Sequence, residues 1–94
     1  KKGDSEAFYK KVNEEAACEV ARQIKLRNIS GIIIIDFINM SLESNQKALL
    51  DTLSRYVSKD KVKTHVIGMT SLGLVEMTRT KTAKPLAEQI SIVN

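Results

Sequence analysis

The feature that most constrains this chain is the run of four isoleucines in GIIIIDFINM, residues 31–40. β-Branched side chains fit the pleated surface of a strand, so the run predicts a β-strand over Ile32–Phe37. No polar residue alternates with the isoleucines, and we therefore expect both faces of this strand to be covered. The run ends at a carboxylate, Asp36, at the strand end where an α/β sheet places its ligands.

The segment that precedes the strand, from Asp4 to about Arg27, has the period of an amphipathic helix. Asp4 or Ser5 can cap its start, and Cys18 is expected to be a small core residue. Its predicted inward stripe consists of Phe8, Val12, Ala16, Ala17, Val20, Ala21 and Ile24.

A second helix is predicted between two strands. Ser41 is a plausible N-cap, and the helix should end at about Val57, with an apolar face made of Leu42, Leu49, Leu50, Leu53 and Val57. Residues 62–67 then favour another strand. A strand-helix-strand unit normally has parallel strands and a right-handed crossover.

The rest of the chain has fewer structural signals. Residues 74–79 fit a strand or a short helix, and the alternation of polar with apolar residues favours the strand. A helical turn is possible over Leu86–Ile90. The predicted fold class is therefore α/β, a single unit of 94 residues in the order α-β-α-β, with a small, mainly parallel sheet flanked by helices.

The charge of the chain indicates a polyanionic partner. The net charge is +4 and the pI is near 9.3, which favours nucleic acid. Two Phe, two Tyr and no Trp are too few for a base-stacking platform, so contacts with RNA should be made to phosphates. No apolar run could span a membrane, and the single cysteine fits a reducing, cytoplasmic setting.

Asp36 is the first candidate site residue. A carboxylate at a strand end needs a cation, a metal ion or several hydrogen-bond donors as compensation. It could equally cap the next turn or pair with a lysine. A single acid is too little for a metal-dependent hydrolase, although Asn39 could orient a metal-bound water. Glu76 is a further acid of interest, and a solvated strand face explains it more simply.

Two stretches carry a family resemblance. NEEAACEVARQIKLRNISGIIIIDFINM (13–40) and KDKVKTHVIGMTSLGLVEMTRTK (59–81) resemble the ribonuclease E/G family. In that family the corresponding motifs are N-x-E-A-A, A-R-Q-[LI]-[RK]-L-R, D-F-I-D-M and G-L-[LV]-E-M-[ST]-R-x-[RK]. The motifs occur in the same order at matching separations, and the likeness covers roughly residues 3–84.

The resemblance implies an endoribonuclease that uses Mg²⁺ to cut single-stranded, A/U-rich RNA in ribosomal RNA processing and messenger decay. It implies that residues 1–94 are a fragment of the DNase I-like catalytic subdomain and are inactive alone. Asp36 falls on one of the family's two metal-binding aspartates. The other lies in an upstream D-x-N motif outside this chain. The cysteines that bind Zn²⁺ between protomers of the family's homo-oligomers lie beyond Asn94.

Several basic residues are candidate contacts for RNA, one of them through the resemblance. Lys63 matches a residue, often Arg, that recognises a 5′-monophosphate end, and Lys lacks the bidentate fork of Arg. Lys61, Arg79 and Lys81, with Lys84, are candidate phosphate contacts, and solvation explains them as well. Asn39 stands where the family usually has a second Asp, which puts a supporting carboxylate there in doubt.

Two other functions remain as alternatives. The first is a non-catalytic RNA-binding or scaffold module that retains the fold, for which Asn39 is the only support. The second is a phospho-acceptor receiver domain, which ranks last because the chain offers no earlier acidic strand. His65 has no Ser or Cys partner at a suggestive spacing, so a packing role is expected for it.

Overall fold

The computed structural model describes the backbone of residues 2–81 and the side chains of residues 5–81. Lys84 and the possible helical turn at Leu86–Ile90 lie outside this part. The elements are α1 (Lys2–Leu26), β1 (Gly31–Ile35), α2 (Glu43–Val57), β2 (Thr64–Met69) and β3 (Val75–Arg79). Within the described residues, neither helix has the length and apolarity to cross a membrane.

The three strands form one sheet in the order β1-β3-β2, and both neighbouring pairs are antiparallel. The predicted mainly parallel sheet is therefore wrong. β1 and β2 do point the same way, as a crossover through α2 requires, but β3 lies between them. A short loop returns the chain from β2 directly into β3, so a local hairpin takes the place that a β1–β2 pair would have occupied.

The helices cover only one face of this sheet. In β1 the side chains of Ile33 and Ile35 are half-buried, whereas Ile32 is 78% exposed and Ile34 is 49% exposed. Ile67 in β2 is 62% exposed on the same outer face. The expectation that both faces of the isoleucine strand are covered is wrong for the described part of the chain, because both helices pack on the inner face and leave the outer one open.

The core lies between the two helices and the inner face of the sheet. The strand over residues 75–79 is confirmed, and its inward residues Val75 and Met77 are fully buried. The predicted end of α2 at Val57 is also confirmed. The buried apolar residues are Ala17, Ile24, Phe37, Met40, Leu49, Leu53, Val57, Val75 and Met77.

The inward stripe of α1 differs from the predicted one. Phe8 is 60% exposed and Cys18 is exposed, so the expectation that both belong to the core is wrong. The buried positions of this helix include two polar residues, Glu6 and Asn13, in line with Ala17 and Ile24. An apolar-periodicity argument passes over polar residues on an inward face, because it assumes that they face water.

The end of α1 is closed by a left-handed residue. Asn28 has φ of 51°, the Asn28 N–H donates to the Lys25 carbonyl at 3.2 Å, and the Ile29 N–H donates to the Ile24 carbonyl at 3.0 Å. This double hydrogen bond is the Schellman motif, in which Asn is one of the few residues that tolerate the left-handed conformation.

Arg79 joins three parts of the chain at this same place. It is 3% exposed, and its Nε and Nη2 donate to the two carboxylate oxygens of Asp60 at 2.7 and 3.3 Å. Its Nη1 donates to the Asn28 side chain at 2.8 Å and to the Ile29 carbonyl at 3.1 Å. The guanidinium therefore ties β3 to the end of α1 and to the α2–β2 connection.

Removing the carboxylate from this buried pair should destabilise the fold strongly. We expect Asp60→Asn to lower the free energy of unfolding by about 3–5 kcal/mol, because it leaves a buried guanidinium without its counter-charge. Chemical denaturation measures the change. The matched control is Glu19→Gln, which breaks the exposed pair with Arg22 and should leave the denaturation midpoint almost unchanged. Equal losses in both variants would contradict this role for Arg79.

Candidate functional site

Asp36 follows the last residue of β1 and is exposed at the carboxyl end of that strand. The ion pairs among residues 5–81 are Lys10–Glu14, Glu19–Arg22 and Asp60–Arg79, and none of them includes Asp36. No hydrogen bond within the same part of the chain engages its carboxylate. The alternatives of a turn cap and a lysine partner therefore find no support among the described residues.

Asp36 borders an open groove between α1 and the free edge of β1. The groove has a volume of about 460 Å³, and its walls are mostly apolar, with Val20 and Ile24 on the helix side and Ile34 and Ile35 on the strand side. Glu19 also lines it, but its carboxylate accepts hydrogen bonds from Arg22 and Gln23. Asp36 thus offers, at the rim of an apolar surface, a carboxylate that has no partner within residues 5–81.

Whether a divalent ion fits here depends on which side chains near Asp36 can act as ligands. Within residues 5–81, no group of three or more Asp, Glu, His or Cys side chains is placed to hold a metal ion. Mg²⁺ often takes only one or two carboxylates and completes its shell with waters and substrate phosphates. A single carboxylate such as Asp36 is compatible with this coordination, and a metal-binding role for it stays a prediction.

The connection that follows Asp36 is fixed by polar side chains of both helices. The Asn13 Nδ2 donates to the Ile38 carbonyl at 2.8 Å, and the Ile38 N–H donates to the Asn13 Oδ1 at 2.9 Å. The Gln46 Nε2 of α2 donates to the Met40 carbonyl at 2.6 Å. An otherwise irregular segment is thereby held to the two helices.

Glu6 completes this attachment. Its carboxylate accepts hydrogen bonds from the Ser41 N–H and hydroxyl, the Leu42 N–H and the Asn45 Nδ2, at 3.1–3.2 Å. The N-cap of α2 is Leu42, which makes no side-chain capping bond, so the prediction of Ser41 as N-cap is one residue early. A carboxylate from α1 instead binds at the positive end of α2. The Leu42 N–H is the largest cause that lowers the pKa of Glu6.

Asn39 lies against the hairpin that joins β2 to β3. Gly73 in that hairpin has φ of +85°, and a Cβ built on it would lie 2.7 Å from the Asn39 Oδ1. Asn39 and the hairpin line a second cleft of about 220 Å³, together with Phe37, Ile38 and Leu72. The structure thus brings Asn39 and the hairpin together at the end of the sheet that carries Asp36. A metal-related role for Asn39 stays a prediction.

The candidate RNA contacts lie at the opposite end of the sheet. Gly31 and Thr64 both pair with Arg79, so the segment before β2 stands beside the start of β1. Lys61, Lys63 and Lys81 are exposed there, and the Thr80 N–H donates to the Lys63 carbonyl. The five residue steps from Gly31 to Asp36 span about 17 Å of extended chain.

Arg79 differs from the three lysines at this end. Its donors are bound to Asp60, Asn28 and Ile29, and the side chain is buried. These contacts give no support to the prediction that it binds phosphate. The sequence did contain a signal for this outcome, because Arg79 alternates in phase with Val75 and Met77, which face the core.

The remaining titratable candidates lie in the sheet. Glu76 is half-buried in the central strand, where it pairs with Ile34 and Gly68. His65 is exposed in β2 and does not have the packing role expected for it. Sequence reasoning missed Asn13 and Glu6, whose separation from Ala17 and Ile24 matches the inward face of the helix.

Comparisons with known proteins agree on one family. A family model described as the Ribonuclease E/G family matches residues 1–82. Ribonuclease G of Escherichia coli K12 is 51% identical over 74 residues, which are 79% of this chain and 15% of that protein. Ribonuclease E of Synechocystis sp. is 49% identical over 76 residues, which are 81% of this chain and 11% of that protein.

A more distant relative covers slightly more of the chain. A Ribonuclease E/G-like protein of Porphyra purpurea is 44% identical over 81 residues, which are 86% of this chain and 16% of that protein. The chain therefore spans between 11% and 16% of the length of these three curated relatives.

The capping role of Glu6 gives a pH-dependent prediction. Because its folded-state pKa is lowered from the ordinary 4.5, the carboxylate stabilises the fold above that pH, and the contribution is lost as the pH falls through the folded-state pKa. We expect Glu6→Gln to be less stable than the parent chain at pH 7. Thermal unfolding followed from pH 7 to pH 3 should show the difference shrinking on acidification.

The matched control for this prediction is Glu15→Gln, which removes an exposed carboxylate from the same helix. Its stability should follow that of the parent chain over the whole range. A gap between Glu6→Gln and the parent chain that stays constant down to pH 3 would contradict the capping role.

Proposed function

The chain belongs to the ribonuclease E/G family, and on that premise we propose that it is part of a Mg²⁺-dependent endoribonuclease that cleaves single-stranded RNA. The observation that carries the proposal is the position of Asp36. A carboxylate without a partner among the described residues stands at a strand end, on a segment held by both helices.

In this proposal Asp36 contributes one oxygen ligand to the metal, and the second aspartate comes from an upstream D-x-N motif. When bound, Mg²⁺ supplies an activated water and neutralises charge that develops on the scissile phosphate. The role of this chain is to present the carboxylate from a backbone that both helices hold, beside an open apolar groove. Because residues 5–81 offer one such carboxylate at a strand end, we expect residues 1–94 alone to be inactive.

The lysines at the other end of the sheet are proposed to bind RNA phosphates. Lys61, Lys63 and Lys81 are exposed, and the net charge of +4 favours attraction of a polyanion. Lys63 is proposed to contact a 5′-monophosphate end. Lys63 lies at the end of the sheet that carries Gly31, and β1 extends about 17 Å from there to Asp36, so such an end contact would be away from the cleavage position.

Further properties of the proposal derive from the family resemblance. They are a preference for A/U-rich RNA, a role in ribosomal RNA processing and messenger decay, a cytoplasmic location and a homo-oligomeric parent that binds Zn²⁺ outside this chain. The assignment of residues 1–94 to a DNase I-like catalytic subdomain belongs with them. The main alternative is a non-catalytic RNA-binding module, favoured by Asn39 in place of the usual Asp.

Neutralising Asp36 tests the metal assignment. We expect Asp36→Asn in the full-length protein to lower the rate of RNA cleavage about a thousandfold, because several kcal/mol of transition-state stabilisation would be lost at about 1.4 kcal/mol per tenfold. The measurement is single-turnover cleavage of a labelled single-stranded RNA at saturating Mg²⁺.

Asp51→Asn is the matched control, since it removes an exposed carboxylate from α2, and it should cleave at the parent rate. Cleavage by Asp36→Asn at the rate of Asp51→Asn would refute the assignment of Asp36. A parent protein that binds the RNA and does not cleave it would favour the non-catalytic module.

Exchanging Lys63 tests end recognition. We expect Lys63→Ala to reduce the preference for 5′-monophosphorylated over 5′-hydroxylated RNA about fivefold, the equivalent of about 1 kcal/mol for an exposed charge contact. Lys63→Arg should increase the preference, because a guanidinium binds phosphate in a bidentate manner. Competition between the two RNAs in one cleavage reaction measures it.

The control for this experiment is Lys47→Ala, which removes an exposed lysine from α2 without touching the end of the sheet that carries Lys63. Its preference should equal that of the parent protein. An unchanged preference in Lys63→Ala would show that this lysine is only solvated.

A further inference from the structure

Asn13 is the most deeply buried polar side chain of the described residues that bonds to the connection after β1. It is 1% exposed in the middle of α1. Its Nδ2 donates to the carbonyl of Ile38, and its Oδ1 accepts from the N–H of the same residue. Ile38 presents one donor and one acceptor, so only one orientation of the amide satisfies both. The amide therefore pairs with Ile38 much as a neighbouring strand would.

This pairing is two residues from Asp36. On the other side of Asp36, Ile35 is held in the sheet by its pairing with Val75. Between Asp36 and Ile38, Phe37 is 7% exposed and belongs to the core. The backbone that carries the carboxylate is thus fixed before, directly after and two residues after Asp36.

The other anchors of the connection bind later residues. Gln46 binds the carbonyl of Met40, and Glu6 binds Ser41 and Leu42. These contacts keep the connection attached to the helices without Asn13. Among the described residues, the hydrogen bonds of Asn13 go to Ile38 alone, so the loss of this side chain should act first on the backbone beside Asp36.

We infer that Asn13 is a positioning residue for Asp36: it sets the direction in which the carboxylate meets the divalent ion, without touching ion or RNA. This inference rests on the proposed function, because it requires Asp36 to be a metal ligand. Groups that orient a ligand through hydrogen bonds change metal affinity by about 10–100-fold when they are removed. The amide of Asn13 does so through main-chain atoms.

The test uses the full-length protein with Asn13→Leu, which replaces the amide by an apolar group of similar volume, and with Asn13→Ala as a second variant. The affinity for Mn²⁺, used as a spectroscopic probe for the Mg²⁺ site, is measured by electron paramagnetic resonance. Cleavage kinetics and thermal unfolding are measured on the same proteins. We expect Mn²⁺ binding to weaken about 10–100-fold and KM for RNA to change little.

Val57→Ala is the control for stability. Val57 is 5% exposed at the far end of α2, about 21 Å along the helix from the connection, and its truncation removes core packing without touching Ile38. This variant should unfold at a lower temperature and bind Mn²⁺ as the parent does. Parent-like Mn²⁺ affinity in both Asn13 variants, together with lowered unfolding temperatures, would overturn the inference.

A double variant separates this inference from the proposed function. If Asn13 acts through Asp36, then Asn13→Leu should weaken Mn²⁺ binding no further in a protein that already carries Asp36→Asn. A full additional loss would contradict the inference. If Asp36→Asn alone binds Mn²⁺ and cleaves RNA as the parent does, the proposed function fails and the inference with it. If Asp36→Asn is impaired and Asn13→Leu is not, only the inference fails.

Discussion

The structure depends on hydrogen bonds that two buried polar residues of α1 make to the chain after β1. Apolar packing holds α1 against α2, but dispersion contacts have little direction and leave sliding and rotation of the helix weakly determined. The hydrogen bonds of Glu6 and Asn13 are directional. Because both side chains are buried, breaking these bonds would leave their polar atoms unpaired. These hydrogen bonds fix the rotation of α1 and its position along its own axis. They also hold the start of α2 and the backbone beside Asp36.

The local elements could be predicted from the sequence better than their arrangement could. The end of α2 and the strand over residues 75–79 follow from periodicity, because each depends on the burial of one face of one segment. The strand order could not be obtained in this way. It depends on whether β3 pairs beside β1, and that choice is made by the hairpin and by contacts between segments far apart in sequence. The prediction that both faces of the isoleucine strand are covered failed for a related reason. β-Branched residues indicate a strand, but they do not indicate which segments pack on its two faces.

At the candidate site too, features set within one segment could be predicted, and contacts between remote segments could not. The sequence placed Asp36 at a strand end, and it stands there. The same reasoning treated Arg79 as one of a group of basic residues, whereas strand alternation places it among core residues and next to Asp60. Asn13 and Glu6 were missed because their partners are main-chain groups 25 and 35 residues away. No spacing rule within one helix reveals such a partner.

Burial of the Asp60–Arg79 pair makes this ion pair insensitive to dissolved electrolytes. Small ions screen charges across water, and they have little access to a pair whose side chains are 9% and 3% exposed. The exposed lysines at the same end of the sheet have no such protection. Rising ionic strength therefore weakens the attraction of these lysines for any anion, while the internal electrostatics of the domain stay intact.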